Sequence, residues 1–187
     1  ANYGLMAPFA LAQIHRPIVV SFWGSDLMGQ FGTVNSKLSH LFDEVVLASH
    51  PLTEYVSGEY HIVPFGVDPD RFRPIPKLKA RQKVGWDSDQ TYVLFPYPKT
   101  RPVKNFERAK QVTDRVKQDV ELVSLSGVKH DEMPYYMNAS DAVLITSNRE
   151  SGPMVVKEAA LCNVPVVSTD VGFVSNALSG ISNSYVC

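Results

Sequence analysis

The chain has little cysteine: only Cys162 and Cys187 in 187 residues, far apart and with no Cys-x-x-Cys pair. That points away from a disulfide scaffold or a thiolate zinc site and makes a reducing cytoplasm the default. Five histidines, His15, His40, His50, His61 and His130, show no metal-ligand spacing, so no metal is expected. No run of 18 or more apolar residues occurs, so no helical membrane span is expected. Neither sign of charge dominates: 18 Lys and Arg against 19 Asp and Glu give a net charge of −1. No run of like charges would follow a nucleic-acid backbone, so nucleic acid is not an expected partner and any bound anion must be met by a local cluster. No secretory leader is visible. The chain opens on Ala1 without a methionine, in a stretch that reads as helix, and stops in what reads as the opening of a strand. The expectation is a piece of a longer protein.

What is present is a core. Apolar residues make up 44% of the chain and aromatics 10%, enough for one globular domain or somewhat more. Short β-branched runs, at 18–22, 44–49, 61–65, 91–97, 120–127, 141–147 and 164–170, alternate with amphipathic stretches. Runs of that kind read as parallel strands buried on both faces, in a doubly wound α/β layout. The helical intervals fit: Phe106, Ala109, Val112 and Val116 fall at helical spacing, as do Val155, Ala159 and Cys162. The proline-rich segment PFGVDPDRFRPIP, 64–76, reads as an ordered linker. The expected domains are 1–65, a linker at 66–76, and 77–187.

Three clusters carry candidate chemistry. In SNRESGPMVVKEA, 147–159, a strand gives way to a loop with Gly152, and Pro153 is expected at the first helical position. Backbone N–H groups of Met154 and Val155 then offer a phosphate seat, which Gly152 lets an anion approach. Glu158, a turn and a half along, suits a pair of sugar hydroxyls, and Glu150 faces the other side of the phosphate. The plain alternative is a solvated Glu150 and a surface Glu158 paired with Lys157 or Arg149. In YPKTRPVKNFERA, Lys99, Arg101 and Lys104, with Asn105 beside them, follow a strand just where open α/β sheets bind ligands; the alternative is a solvated loop. In SFWGSDL, Gly24, Ser25 and Asp26 either cap the next helix or line a cleft beside Trp23.

With these residues in view, the chain resembles the retaining glycosyltransferases of family four, which have the GT-B architecture of two Rossmann-like domains. GVDPDRFRP (66–74) is similar to the family's interdomain signature, RPVKNFERA (101–109) to its donor-phosphate loop, and residues 133–172 to its donor-site block, with Glu150 and Glu158 in the order Glu, seven residues, Glu. The resemblance implies a transfer of sugar from a nucleotide diphosphate sugar to a glycan or lipid-linked acceptor, with retention and without a metal or other cofactor. It assigns the diphosphate to Lys104 with Arg101 or Lys99, the ribose to Glu158, and the donor sugar to Glu150 and the backbone around Ser151, Gly152 and Met154. It also implies a cytoplasmic location, or one peripheral to the inner face of a membrane. A non-catalytic nucleotide-sugar-binding protein, or another GT-B enzyme such as a nucleotide-sugar epimerase, is the alternative. The chain departs from the family at Ser151, where the glycine comes one place later, at Lys99, where an arginine is usual, and at Trp23, where many relatives have histidine.

Overall fold

The computed structural model describes residues 6–187, so the start of the expected first helix, residues 1–5, lies outside the described residues. The chain divides into two compact units, one running to Gly66 and including Glu150–Gly152, the other holding Val67–Arg149 and Pro153–Cys187. Among the described residues no helix is long and apolar enough to cross a membrane.

In the first unit the elements run α1 (Ala7–Leu11), β1 (Val19–Phe22), α2 (Ser25–Met28), α3 (Gly32–Leu38), β2 (Glu44–Leu47) and β3 (His61–Ile62). The strands form a parallel sheet in the order β1-β2-β3. Val20, Phe22, Val45 and Leu47 point into a core shared with Ala7, Ala10, Leu27 and Leu52. The alternate positions Val19 and Glu44 are exposed, so β1 and β2 bury one face here, not the two their composition suggests.

The second unit contains α4 (Lys77–Val84), β4 (Thr91–Phe95), α5 (Phe106–Thr113), β5 (Val120–Ser124), α6 (Met133–Ala139), β6 (Ala142–Ile145), α7 (Met154–Leu161), β7 (Val166–Ser168), α8 (Val174–Leu178) and β8 (Tyr185–Val186). Its five strands are all parallel, in the order β5-β4-β6-β7-β8. Central strands are buried on both faces: Leu94, Val143 and Ile145 join Val155, Val156, Ala159 and Val166 on one side, while Phe95 and Leu144 meet Ala109 on the other. Val155, Ala159 and Cys162 all reach the core, as their spacing predicts. Val112 and Val116 do not; both stay exposed. Helix α5 ends at Thr113, whose hydroxyl donates back to the carbonyls of Ala109 and Lys110 and competes with a further turn.

The proline-rich segment is more than a tether. From Val67 it belongs to the second unit, and Phe72 is fully buried against Met137 and Leu125. Asn138 fastens it, its Oδ1 accepting the Ile75 N–H at 2.8 Å and its Nδ2 donating to the Arg73 carbonyl at 3.1 Å. Beside it, Arg81 of α4 is buried with its Nη2 2.9 Å from Asp141 Oδ2 and its Nε donating to the Ala139 carbonyl. Asp141 also accepts from Lys77 at 2.6 Å and from the Tyr92 N–H at 2.8 Å. Burial pushes the Asp141 carboxyl up, but these donors, Lys77 foremost, outweigh it and hold the group below the usual carboxylate range. This clamp ties α4 and α6 to the starting ends of β4 and β6.

Candidate functional site

In the order β5-β4-β6-β7-β8 the chain leaves β4 toward β5 on one side and later returns to place β6 on the other. The reversal leaves a crevice outside the carboxyl ends of β4 and β6, the position where open α/β sheets take ligands. Two of the three sequence clusters feed it. The loop after β4 holds Lys99, Arg101, Lys104 and Asn105; the segment after β6 leads to α7 and Glu158.

The three cations of the first loop are placed differently. Lys99 and Arg101 are exposed, the Lys99 ammonium lying 4.8 Å from the Phe106 ring centroid. Lys104 is drawn in, only 5% exposed, with its ammonium 3.9 Å from the centroid of Tyr97. A cation on an aromatic face keeps part of the stabilisation that burial removes. Asn105 follows in the left-handed region (φ 54°), which asparagine tolerates better than most residues, and its side chain caps α5 by accepting from the Arg108 N–H at 3.2 Å.

Pro153 lies one place earlier than expected, in the extended cap position (φ −72°, ψ 106°), and α7 begins at Met154. Val155 sends its side chain into the core, leaving its backbone toward the helix start. Glu158 is half-buried on the same helix. Burial pushes its carboxyl up to about 7, and no hydrogen bond from the described residues reaches it. A carboxylate so placed is stabilised by any ligand that brings hydroxyl donors to it.

Glu150, Ser151 and Gly152 group with the first unit, as do Gly24, Ser25 and Asp26. Within that unit the Ser151 hydroxyl donates to the Trp23 carbonyl at 2.7 Å. Asp26 is nearly fully buried and spends its carboxylate on its own turn, accepting from the N–H groups of Trp23, Gly24 and Leu27 at 2.7 to 3.1 Å. Neither Ser25 nor Asp26 is the cap of α2: the helix begins at Ser25 with Gly24 in the cap position and no side-chain cap bond, and Gly24 at φ 143° supplies a backbone that side chains rarely adopt. Trp23 is partly exposed and packs edge-on against Phe65, centroids 4.9 Å apart. Among the described residues no group of three or more His, Cys, Asp or Glu could hold a metal ion.

Reading the sequence missed Tyr97, Thr146 and Asn148. Tyr97 carries the face on which Lys104 rests; the Thr146 hydroxyl donates to the loop backbone at Lys104 and Asn105, and Asn148 meets the Val103 carbonyl through its N–H and the Asn105 side chain through its Oδ1. The signal available was their place at the carboxyl ends of two apolar runs. Which loops those ends face depends on the strand order.

Taken together, the second unit is a doubly wound parallel α/β unit with the nearly buried Lys104 in the loop after β4 and the half-buried Glu158 on the helix after β6. Residues 104–186 match the family model described as glycosyl transferases group 1. The D-inositol 3-phosphate glycosyltransferase of Pseudarthrobacter chlorophenolicus is 29% identical over 164 residues, 71% of this chain and 38% of the relative. The protein of the same name from Paenarthrobacter aurescens is 27% identical over 149 residues, 63% of this chain and 36% of the relative. The chain therefore spans little more than a third of the curated relatives it matches. Among solved structures, sucrose-phosphate synthase from Thermosynechococcus elongatus superposes with a TM-score of 0.69 at 16% identity, covering 99% of this chain and 59% of that one. Anabaena HepE, solved in complex with UDP and glucose, gives 0.67 at 18% identity, covering 92% and 58%. The resemblance read from the sequence holds at this level: residues 104–186 match the model of glycosyl transferases group 1, and the fold is that of GT-B glycosyltransferase structures.

Proposed function

We propose that this chain is the donor-binding part of a glycosyltransferase that moves a sugar from a nucleotide diphosphate sugar to a glycan or lipid-linked acceptor, with retention of configuration and without a metal ion. The observation that carries the proposal is Lys104, a nearly buried ammonium at the crevice outside β4 and β6, where the family match begins. The names of the relatives and the UDP and glucose bound by the Anabaena neighbour support a nucleotide-sugar donor.

Lys104, with Arg101 or Lys99, neutralises the diphosphate as it departs from the anomeric carbon. Charge aimed at a leaving group in a water-poor site stabilises the transition state more than the ground state. Glu158 accepts two hydrogen bonds from the ribose hydroxyls, and the backbone at Met154 and Val155 receives a phosphate at the start of α7. Glu150 and the backbone of Ser151 and Gly152 are assigned to the donor sugar by the resemblance alone, as are retention, the absence of a metal, and an acceptor assembled at the inner face of a membrane.

The test is thermal unfolding of the chain with UDP, GDP and ADP and their glucose conjugates, beside Glu158→Ala. A ligand bound only by the folded state at 100 times its Kd adds about 2.7 kcal/mol. One nucleotide series should stabilise the wild type and not the variant. Equal stabilisation of both removes Glu158 from the site, and a longer form of the protein that answers to none of the nucleotides overturns the proposal.

A further inference from the structure

Three consecutive carbonyls of the loop that carries Lys104 are taken by the segment following β6. The Val103 carbonyl accepts the Asn148 N–H at 2.9 Å. The carbonyls of Lys104 and Asn105 lie 3.1 and 2.9 Å from the hydroxyl of Thr146. The Asn105 amide donates to Asn148 Oδ1 at 3.0 Å. Thr146 is 2% exposed, so its single hydroxyl proton is shared between two acceptors with little competition from water. The loop so held is a single 3₁₀ turn, Pro102–Lys104, closed by Asn105 in the left-handed region. A turn this short has little regular hydrogen bonding of its own to fix the direction of the Lys104 side chain.

We propose that Thr146, assisted by Asn148, is a positioning residue that aims the Lys104 ammonium at the donor diphosphate by holding the peptide on either side of it. The inference rests on the donor-site reading above and adds a specific support for it. Thr146 touches no substrate; it acts through the backbone of Lys104. A valine there keeps the shape and removes the proton, taking the Thr146 donor from the Lys104 carbonyl, while the Asn105 carbonyl keeps the N–H groups of Arg108 and Ala109. The loop then relaxes and the ammonium moves off its line, which is the kind of small misplacement that lowers binding and rate well beyond the loss of one hydrogen bond.

The test is a double-mutant cycle on nucleotide affinity by calorimetry, using UDP, GDP and ADP in turn on wild type, Thr146→Val, Lys104→Ala and the double variant, with Thr146→Ser and Asn148→Ala alongside. Thr146→Val should weaken the diphosphate that binds about tenfold, Thr146→Ser should restore most of it, and the effect of Thr146→Val should vanish once Lys104 is alanine. A purely structural threonine would weaken binding equally in both backgrounds, and that outcome overturns the inference while leaving the donor site intact. If Thr146→Val does not fold, the exposed Asn148 decides: its alanine variant must show the same dependence on Lys104, in smaller degree, or the inference fails. A Lys104→Ala chain that binds like wild type, or a wild type that binds none of the three nucleotides, overturns the donor-site reading and this inference with it.

Discussion

Glu158 makes the sharpest prediction about stability. Its carboxyl is half-buried on α7, no described residue donates to it, and burial raises it from an ordinary 4.5 to about 7. Because the folded state holds the proton more tightly than the unfolded one, the stabilisation is fully present below about 4.5 and is lost as the pH rises through about 7. At about 1.4 kcal/mol per tenfold in proton affinity, the whole interval is worth about 3 kcal/mol, and the remaining solvent contact trims this to about 2. Glu158→Gln keeps the size and stays neutral throughout. In urea unfolding the variant should match wild type within about 0.5 kcal/mol at pH 5 and exceed it by about 2 kcal/mol at pH 8.5. A difference that stays flat between those values would show that the carboxyl is not desolvated, and the reason for assigning it to ligand hydroxyls would go with it. Saturating nucleotide should close the gap at pH 8.5, since ribose hydroxyls would supply the donors that the protein withholds.

Removing Asp141 should leave the buried Arg81 charge uncompensated. Breaking a buried pair costs roughly 3–5 kcal/mol, and because Asp141 is only partly buried we expect about 2–3 for Asp141→Ala in urea at pH 7. Its lowered pKa means the contribution is present above 3.8 and fades as pH falls through the folded value, so the gap to wild type should narrow below 3.8; a gap that widens there refutes the clamp. Phe72→Ala should cost about 3–5 kcal/mol, and a loss under 1 kcal/mol would mean the segment is a tether after all. In a form with the proposed transferase activity, Lys104→Ala should raise the barrier to transfer by about 2.7–4 kcal/mol, read as kcat; unchanged turnover would remove it from the leaving-group role.

Much of the second unit was legible before folding was considered. Its central strands are near-continuous apolar runs because both faces are covered, and α7 shows its buried face in Val155, Ala159 and Cys162. Periodicity failed at Val116, which lies past the end of α5 at Thr113, and at Val112, which is inside the helix and still exposed. The family order of Glu150 and Glu158 marked the donor block. What sequence could not supply was which cation is buried, since Lys104 is set apart by contacts such as Tyr97 and, through its carbonyl, Thr146, some forty residues away. The sequence favoured Asp26 slightly as a helix cap over a cleft-lining residue, and its bonds to the N–H groups of Trp23, Gly24 and Leu27, not one of them a cap of α2, depend on a local turn that spacing does not show.

The strand order has a consequence for synthesis. Strand β4 emerges from the ribosome well before β6, and β5 can pair with it in the interval, yet the carbonyl of Lys104 meets the Thr146 hydroxyl only when β6 docks on β4's free edge. That support is thus acquired late, after a non-local pairing that a chain must wait for. A nascent polypeptide halted before residue 146 has made every cation of the loop but not the hydroxyl that holds the peptide after Lys104.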